Sequence, residues 1–365
     1  MDTIRKLEHH AATRLESIRV LVHEMLQTMD SLTERQEAGI YLYGVSAFAS
    51  MLAMKRGQNT ELAAIAGLLH RYYGYKTGIT DFAGANSAEA VRPLLRDSQL
   101  FSEEERIIIL RAIFYHDDRN QVHGPEEEII KDAIVLQSFF QTAGKNISGP
   151  DAPRLQKLLP ELDIPGEFEV CQNEKSGMLD HLGNKRRKLA DIAEELAGSN
   201  IIGLPGDEQY REICKYWPDT GIYQAIRGSW CAAFVYHCSR QAGIKLPIRY
   251  PNGFCRFAGV GAWLEWAQLP ENQFFSYDGQ EDFTPERGDI VIYEKLLSDH
   301  AHDHIGIILA CDENEILVAE GNRDNKNYSS VFRRDRKHCV LGYIRINEDY
   351  QFKFDGSLQS EYLAG

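Results

Sequence analysis

The chain has 365 residues and a formal net charge of −14, from 40 Lys plus Arg against 54 Asp plus Glu. At roughly 100–200 residues per domain, this length predicts two domains, or three. The acidic balance, with no basic stripe, excludes a protein built mainly to neutralise a nucleic-acid backbone, and 43% hydrophobic residues exclude a disordered chain. No uninterrupted apolar run approaches the ~20 residues of a bilayer-spanning helix. The opening Met1-Asp2-Thr3-Ile4-Arg5-Lys6-Leu7-Glu8 lacks the apolar core of a secretory leader, so a cytoplasmic location without membrane partners is expected.

Apolar residues recur at helical spacing over 15–29, 37–56, 61–72, 102–115 and 126–140, which predicts an all-α domain over 1–142. Ser102 followed by Glu103, Glu104 and Glu105 is an amino-terminal cap with acids at the positive end of the helix dipole. Residues 142–165 carry Gly144, Gly149, Pro150, Pro153, Pro160 and Pro165, the punctuation of a linker. A further helix is predicted over 178–196, with Lys185-Arg186-Arg187-Lys188 on its solvated face, so 143–199 reads as a linker with a helix. From about residue 200 an apolar helix (230–242) precedes short strands at 289–293, 304–310, 316–319 and 340–346. This is an α+β domain over 200–350, followed by a tail over 351–365.

Seven cysteines stand at 171, 214, 231, 238, 255, 311 and 339, with no Cys-x-x-Cys. An odd, scattered set predicts free thiols in a reducing compartment and argues against structural zinc. Cys231 differs from the others in its setting. It follows the turn residues Gly228-Ser229 and opens the apolar helix, where the helix dipole favours a thiolate. His304 stands at the entrance of an apolar strand, and Glu320 and Asn322 lie two residues apart at the end of another. A Cys–His pair needs a third polar group to hold the imidazole, and both Glu320 and Asn322 share one face of an extended chain. Cys214, Cys238, Cys255, Cys311 and Cys339 read as small hydrophobes, and Trp230 as a packing residue. His300, His302 and His304 alternate in a pattern that can hold a metal, but one functional histidine with two exposed neighbours is the expectation.

The ordered segments Trp230-Cys231-Ala232-Ala233-Phe234-Val235, Arg287-Gly288-Asp289-Ile290-Val291, His304-Ile305-Gly306-Ile307, Glu320-Gly321-Asn322 and Gly342-Tyr343-Ile344-Arg345-Ile346 resemble the CHAP family. Its members are cysteine- and histidine-dependent amidohydrolases and peptidases of papain-like α+β architecture. The resemblance implies Cys231 as nucleophile, His304 as general base and acid, Glu320 as orienting acid and Asn322 as auxiliary polar group. Gln224 is a candidate oxyanion donor, beside the backbone N–H of Cys231. No metal or organic cofactor is required, and the implied substrate is an amide in a peptide conjugate or a peptidoglycan-derived peptide.

The helical half is similar, in the order of its helices, to HD-domain phosphohydrolases. His70 and Asp132 match that motif and His116 falls near an accessory position, whereas Tyr41 and Arg71 stand where two ligands would be. The resemblance implies an HD-like fold with a degenerate metal site, since one ligand is replaced by a permanent cation. Two other functional classes stay open: an HD-type metal-dependent phosphohydrolase and a non-catalytic binding or regulatory protein. A helical bundle in which His70 is a satisfied core histidine is the plainest alternative for this half.

Overall fold

The computed structural model describes residues 13–142, 147–149, 151–165, 170–171 and 184–364. The chain divides into two compact units, Met1–Met178 with Leu358–Gly365, and Leu179–Ser357. The first is helical and the second combines helices with an antiparallel sheet.

The helical unit runs through α1 (Arg14–Gln27), α2 (Leu32–Lys55), α3 (Thr60–Leu69), α4 (Tyr72–Thr77), α5 (Ala83–Ser98), α6 (Glu103–Phe114) and α7 (Pro125–Gln141). Local chemistry sets the starts. Side-chain oxygens of Thr13, Ser31 and Asn59 accept first-turn amides, Ser102 and Glu105 form a reciprocal capping box, and Pro125 opens α7. Helix α2 packs against α3 and α7, and Gly67 permits the close approach, because a Cβ there would sit 2.9 Å from Ser46 Cα. By length and mean hydropathy α2 would suffice to cross a membrane, a property that a search for unbroken apolar runs misses. Here its Leu42, Val45, Ala49 and Leu52 are wholly buried in the core of this unit.

The segment expected to be a linker contains α8 (Ala152–Glu161), packed on α7 through buried Leu155, Leu158 and Leu159. Its prolines do not prevent a helix: Pro153 lies in the first turn, where no amide partner is lost, and Pro160 lies at the end. Strands β1 (Ile147–Ser148) and β2 (Val170–Cys171) pair in parallel. The expected tail is divided: 351–357 belong to the second unit, and the stretch from Leu358 belongs to this one. The Leu358 amide donates to the Tyr115 hydroxyl at 3.2 Å, and the last helix, Ser360–Ala364, packs on α6 with Tyr362 and Leu363 buried.

The second unit starts before residue 200, because α9 (Lys185–Gly198) lays Leu189, Ala190, Ala193 and Ala197 into its core. Residues 178–183 of the predicted helix lie outside the described residues. The basic run is only half solvated. Glu348 accepts the amides of Asn184 and Arg186 at the positive end of α9 and pairs with the Arg186 guanidinium, while Arg187 and Lys188 are exposed.

Helices α10 (Glu208–Cys214), α11 (Ile222–Ala225), α12 (Cys231–Gln241) and α13 (Val260–Gln268) come next. The sheet follows, with β3 (Phe275–Tyr277), β4 (Ile290–Tyr293), β5 (His304–Cys311), β6 (Glu315–Glu320), β7 (Ser330–Asp335) and β8 (Val340–Ile344) in the order β3-β8-β4-β5-β6-β7. Strands β3 and β7 lie outside the predicted strands. They are the two edges, where strands are short or charged rather than apolar. Gly288, at φ +91°, turns the chain into β4 against the carbonyl of Arg186. The Asp289 that follows is fully buried and bonded by Arg345 from the end of β8. The Arg287-Gly288-Asp289 and Gly342–Ile346 segments thus form one clasp around the sheet.

Candidate active site

Cys231 is the first residue of α12 and 6% exposed, with no side chain capping the helix. The first-turn amides of a helix have no partner within it, so they face whatever lies beside the sulfur. The loop that delivers the cysteine is held by two asparagines. Asn327 Oδ1 accepts from the Gly228 amide at 3.1 Å and from Trp230 Nε1 at 3.2 Å, and Asn322 Nδ2 donates to the Gly228 carbonyl at 2.7 Å. The two are joined, since the Asn327 amide donates to Asn322 Oδ1 at 3.0 Å. Asn322 sits at φ +54°, a conformation that asparagine tolerates. Gly321 brings the end of β6 onto α12, because a Cβ there would lie 2.5 Å from Phe234 Cβ.

His304 opens β5 and Glu320 closes β6, and both are fully buried. His304 Nε2 lies 2.8 Å from Glu320 Oε2. Gly306 makes this possible: a Cβ at that position would come within 2.8 Å of Glu320 Cγ, so the carboxylate crosses β5 where the strand has no side chain. The opposite ring nitrogen, Nδ1, is buried without a hydrogen bond of ordinary geometry, and the thiol acting on the ring is that of Cys231. Burial by itself would depress the imidazole pKa. The Glu320 carboxylate and the Cys231 sulfur outweigh it and hold His304 above the usual histidine range. Burial would likewise raise Glu320, but His304 and Arg334 keep it below the usual carboxylate range. The Tyr293 ring lies 5.9 Å from the His304 ring, and burial beside Glu320 pushes its hydroxyl well above the tyrosine range.

This geometry corrects one expectation. Glu320 meets His304, but Asn322 does not. Its amide is engaged by Gly228, Asn325 and Asn327, because the chain leaves the extended conformation at Asn322 and turns its side chain away from the strand face. Asn322 therefore positions the loop ahead of the thiol instead of the imidazole. Gln224 is exposed on the one-turn helix α11. Asp303 binds the amides of Leu296, Leu297 and Ser298 and so shapes the loop that holds His300 and His302. Cys214 and Cys238 are buried, and desolvation pushes both thiols up, Cys214 to about 12. Trp230 is fully buried and packs against Tyr210 and Phe234.

Residues 223–322 match the family model of the CHAP domain. This CHAP-matched region takes in Cys231, His304, Glu320 and Asn322, and it supports cysteine- and histidine-dependent amidohydrolase or peptidase chemistry for the second unit. No curated protein and no solved structure matches the chain. Arg334, Asp324, Asn327 and Tyr293, all in or around the site, were missed by sequence reasoning. Asp324, Asn327 and Arg334 lie beyond the CHAP-matched residues, and the signal that could have found them is a polar side chain in a strand or loop whose pairing brings it onto a buried acid or amide.

The helical unit gathers some of the HD-like positions. His70 and His116 are buried with ring centroids 5.0 Å apart, the Tyr41 ring lies 5.6 Å from His70, and the Arg71 guanidinium lies 5.1 Å from Tyr41. His70 Nδ1 and His116 Nδ1 each bond a carbonyl three residues earlier, Gly67 and Ile113, at 2.7 Å. Burial lowers both imidazoles, and at His116 it does so despite the Asp117 carboxylate. Asp132 is committed to Arg56 at 2.8 Å and Arg154 at 2.9 Å, so two permanent cations occupy the carboxylate that the motif would offer to a metal.

Proposed function

We propose that the second unit is a cysteine amidase or peptidase in which Cys231 attacks an amide carbonyl. The single observation that carries this reading is the buried array at the tip of α12, a thiol acting on an imidazole whose far nitrogen is bonded to Glu320 at 2.8 Å. His304 takes the thiol proton, and Glu320 favours the charged ring that results. Attack forms a C–S bond and pushes the carbonyl electrons onto oxygen. The backbone N–H of Cys231 is the first candidate donor for that oxyanion, and Gln224 the second. His304 then gives its proton to the leaving amine, the C–N bond breaks, and an acyl-enzyme remains. A water deprotonated by His304 attacks the thioester, and the sulfur leaves as thiolate.

The substrate class proposed is a peptide amide, either in a peptide conjugate or in a peptidoglycan-derived peptide, acted on in the cytoplasm or after delivery from it. Incubation of the full chain with purified muropeptides and with peptide conjugates, read by mass spectrometry, tests this. Wild type should release a new amine and acid from one class, and Cys231→Ala should lose at least about 10³-fold of that activity. Equal turnover by the alanine variant would refute the mechanism.

A further inference from the structure

We propose that Arg334 is a positioning residue of this site, acting through Glu320; the inference rests on the reading of Cys231 as nucleophile. Arg334 lies on β7, opposite Ile316 of β6, beyond the CHAP-matched residues. Its guanidinium passes the Phe332 ring, 4.5 Å from the centroid, and reaches Glu320 side-on. Nε donates to Oε1 at 2.8 Å and Nη2 to Oε2 at 2.7 Å, and that same Oε2 faces His304 Nε2. Nη2 also donates to Asp324 Oδ1 at 2.7 Å, which anchors the guanidinium from its other side. The side chains of Arg334, Glu320 and Asp324 are 12%, 0% and 24% exposed.

A carboxylate buried this deeply needs a cation to stay ionised. During the proposed reaction His304 cannot be that cation throughout, because it gives its proton to the leaving group and is then neutral. An arginine does not titrate, so Arg334 keeps Glu320 charged in both states of the ring. Its two-pronged grip also fixes the carboxylate plane, which leaves Oε2 aimed at Nε2. The groups facing Glu320 are His304 from β5, Tyr293 from β4 and Arg334 from β7. Cys231 acts on the imidazole from α12, and Asp324 faces the outer side of Arg334. Without Arg334, Glu320 would take up a proton at a higher pH, and the thiolate–imidazolium pair would lose its support there.

The test is the pH profile of Cys231 alkylation by iodoacetamide in the full chain, read by peptide mass spectrometry. Wild type, Arg334→Ala and Arg334→Lys are compared between pH 5 and 9, the alanine variant with and without added guanidinium. In wild type, Cys231 should be alkylated ahead of Cys255, Cys311 and Cys339. In the alanine variant the acid limb should move up by about one to three pH units, the range over which a neighbouring charge shifts a carboxylate. Guanidinium should return it, and lysine, a single point charge, should fall between. A purely structural arginine would lower stability without moving the limb. A folded alanine variant with the wild-type limb overturns the role of Arg334 while the nucleophile stands. If the alanine variant does not fold, an unmoved limb in the lysine variant overturns it equally. Wild-type Cys231 reacting no faster than the other thiols removes the nucleophile and this proposal together.

Discussion

Both units bury histidines, and the surroundings of His70 and His116 push their rings one way while those of His304 push it the other. His70 and His116 lie 5.0 Å apart in the helical unit, where burial is the largest influence on both rings and lowers them, at His70 with the help of Arg71 and at His116 against the Asp117 carboxylate. His304 is buried as completely, but Glu320 and the Cys231 sulfur reverse the effect of desolvation. Burial therefore does not decide the direction by itself: at His116 it prevails over the Asp117 carboxylate, whereas at His304 the bonded Glu320 and the Cys231 sulfur prevail over it. The thiols of α12 differ in position: Cys238 is fully buried and desolvation pushes it up, whereas Cys231 opens the helix and acts on the His304 ring.

The contrast can be broken at Glu320. Glu320→Gln keeps the shape and removes the charge, and it should reduce amide turnover on the order of 10³-fold, within the range that general acid–base groups contribute. Turnover within a few-fold of wild type would mean that the carboxylate does not set the state of His304. A milder break is Gly306→Ala, whose methyl would crowd Glu320 Cγ at 2.8 Å. Displacing the carboxylate should cost about 10- to 100-fold in turnover with the imidazole itself untouched. Steady-state kinetics beside a thermal unfolding curve would separate this from loss of fold.

The smallest effect sharpens the comparison without any substitution. In a proton NMR titration of the full chain, the His304 ring should stay charged above the ordinary histidine range, and the His70 and His116 rings should stay neutral below it. The linkage follows in sign. The raised pKa of His304 adds stability that is complete below pH ~6.5 and is lost as pH rises through its folded value. The lowered values of His70 and His116 act the other way, so acidification below pH ~6.5 should weaken the helical unit. Hydrogen exchange at pH 7 and pH 5 should therefore show α3 and α6 losing protection on acidification, with the β5–β6 ladder unaffected over that interval. Equal losses in both would contradict the opposed environments.

Much of the local architecture was legible beforehand. Helical spacing, the Ser102 cap and the apolar runs of β4, β5, β6 and β8 are properties of short segments, and they emerge where the sequence places them. The edge strands β3 and β7 were not legible, because an edge strand has only one neighbour and carries polar residues that do not alternate cleanly. Prolines 153 and 160 suggested a linker, although a first-turn or last-turn proline is compatible with a helix. Asn322 shows the limit of counting along a strand. Two residues after Glu320 it would share a face only if the strand continued, and the chain turns there instead.

By itself, the sequence determined which residues have the chemistry: a thiol at a helix start, an imidazole at a strand start, a carboxylate at a strand end, and small residues at 306 and 321. These are properties of residue type and spacing, and short-range physics acts on them directly. Only the tertiary structure decided which groups meet. The register of β5 on β6 sets Glu320 over Gly306 and against His304, and the pairing of β7 on β6 brings Arg334 to the same carboxylate from 14 residues away. Such meetings depend on how strands align across the sheet, and in a buried site the charge of a group is set by the neighbours it meets there.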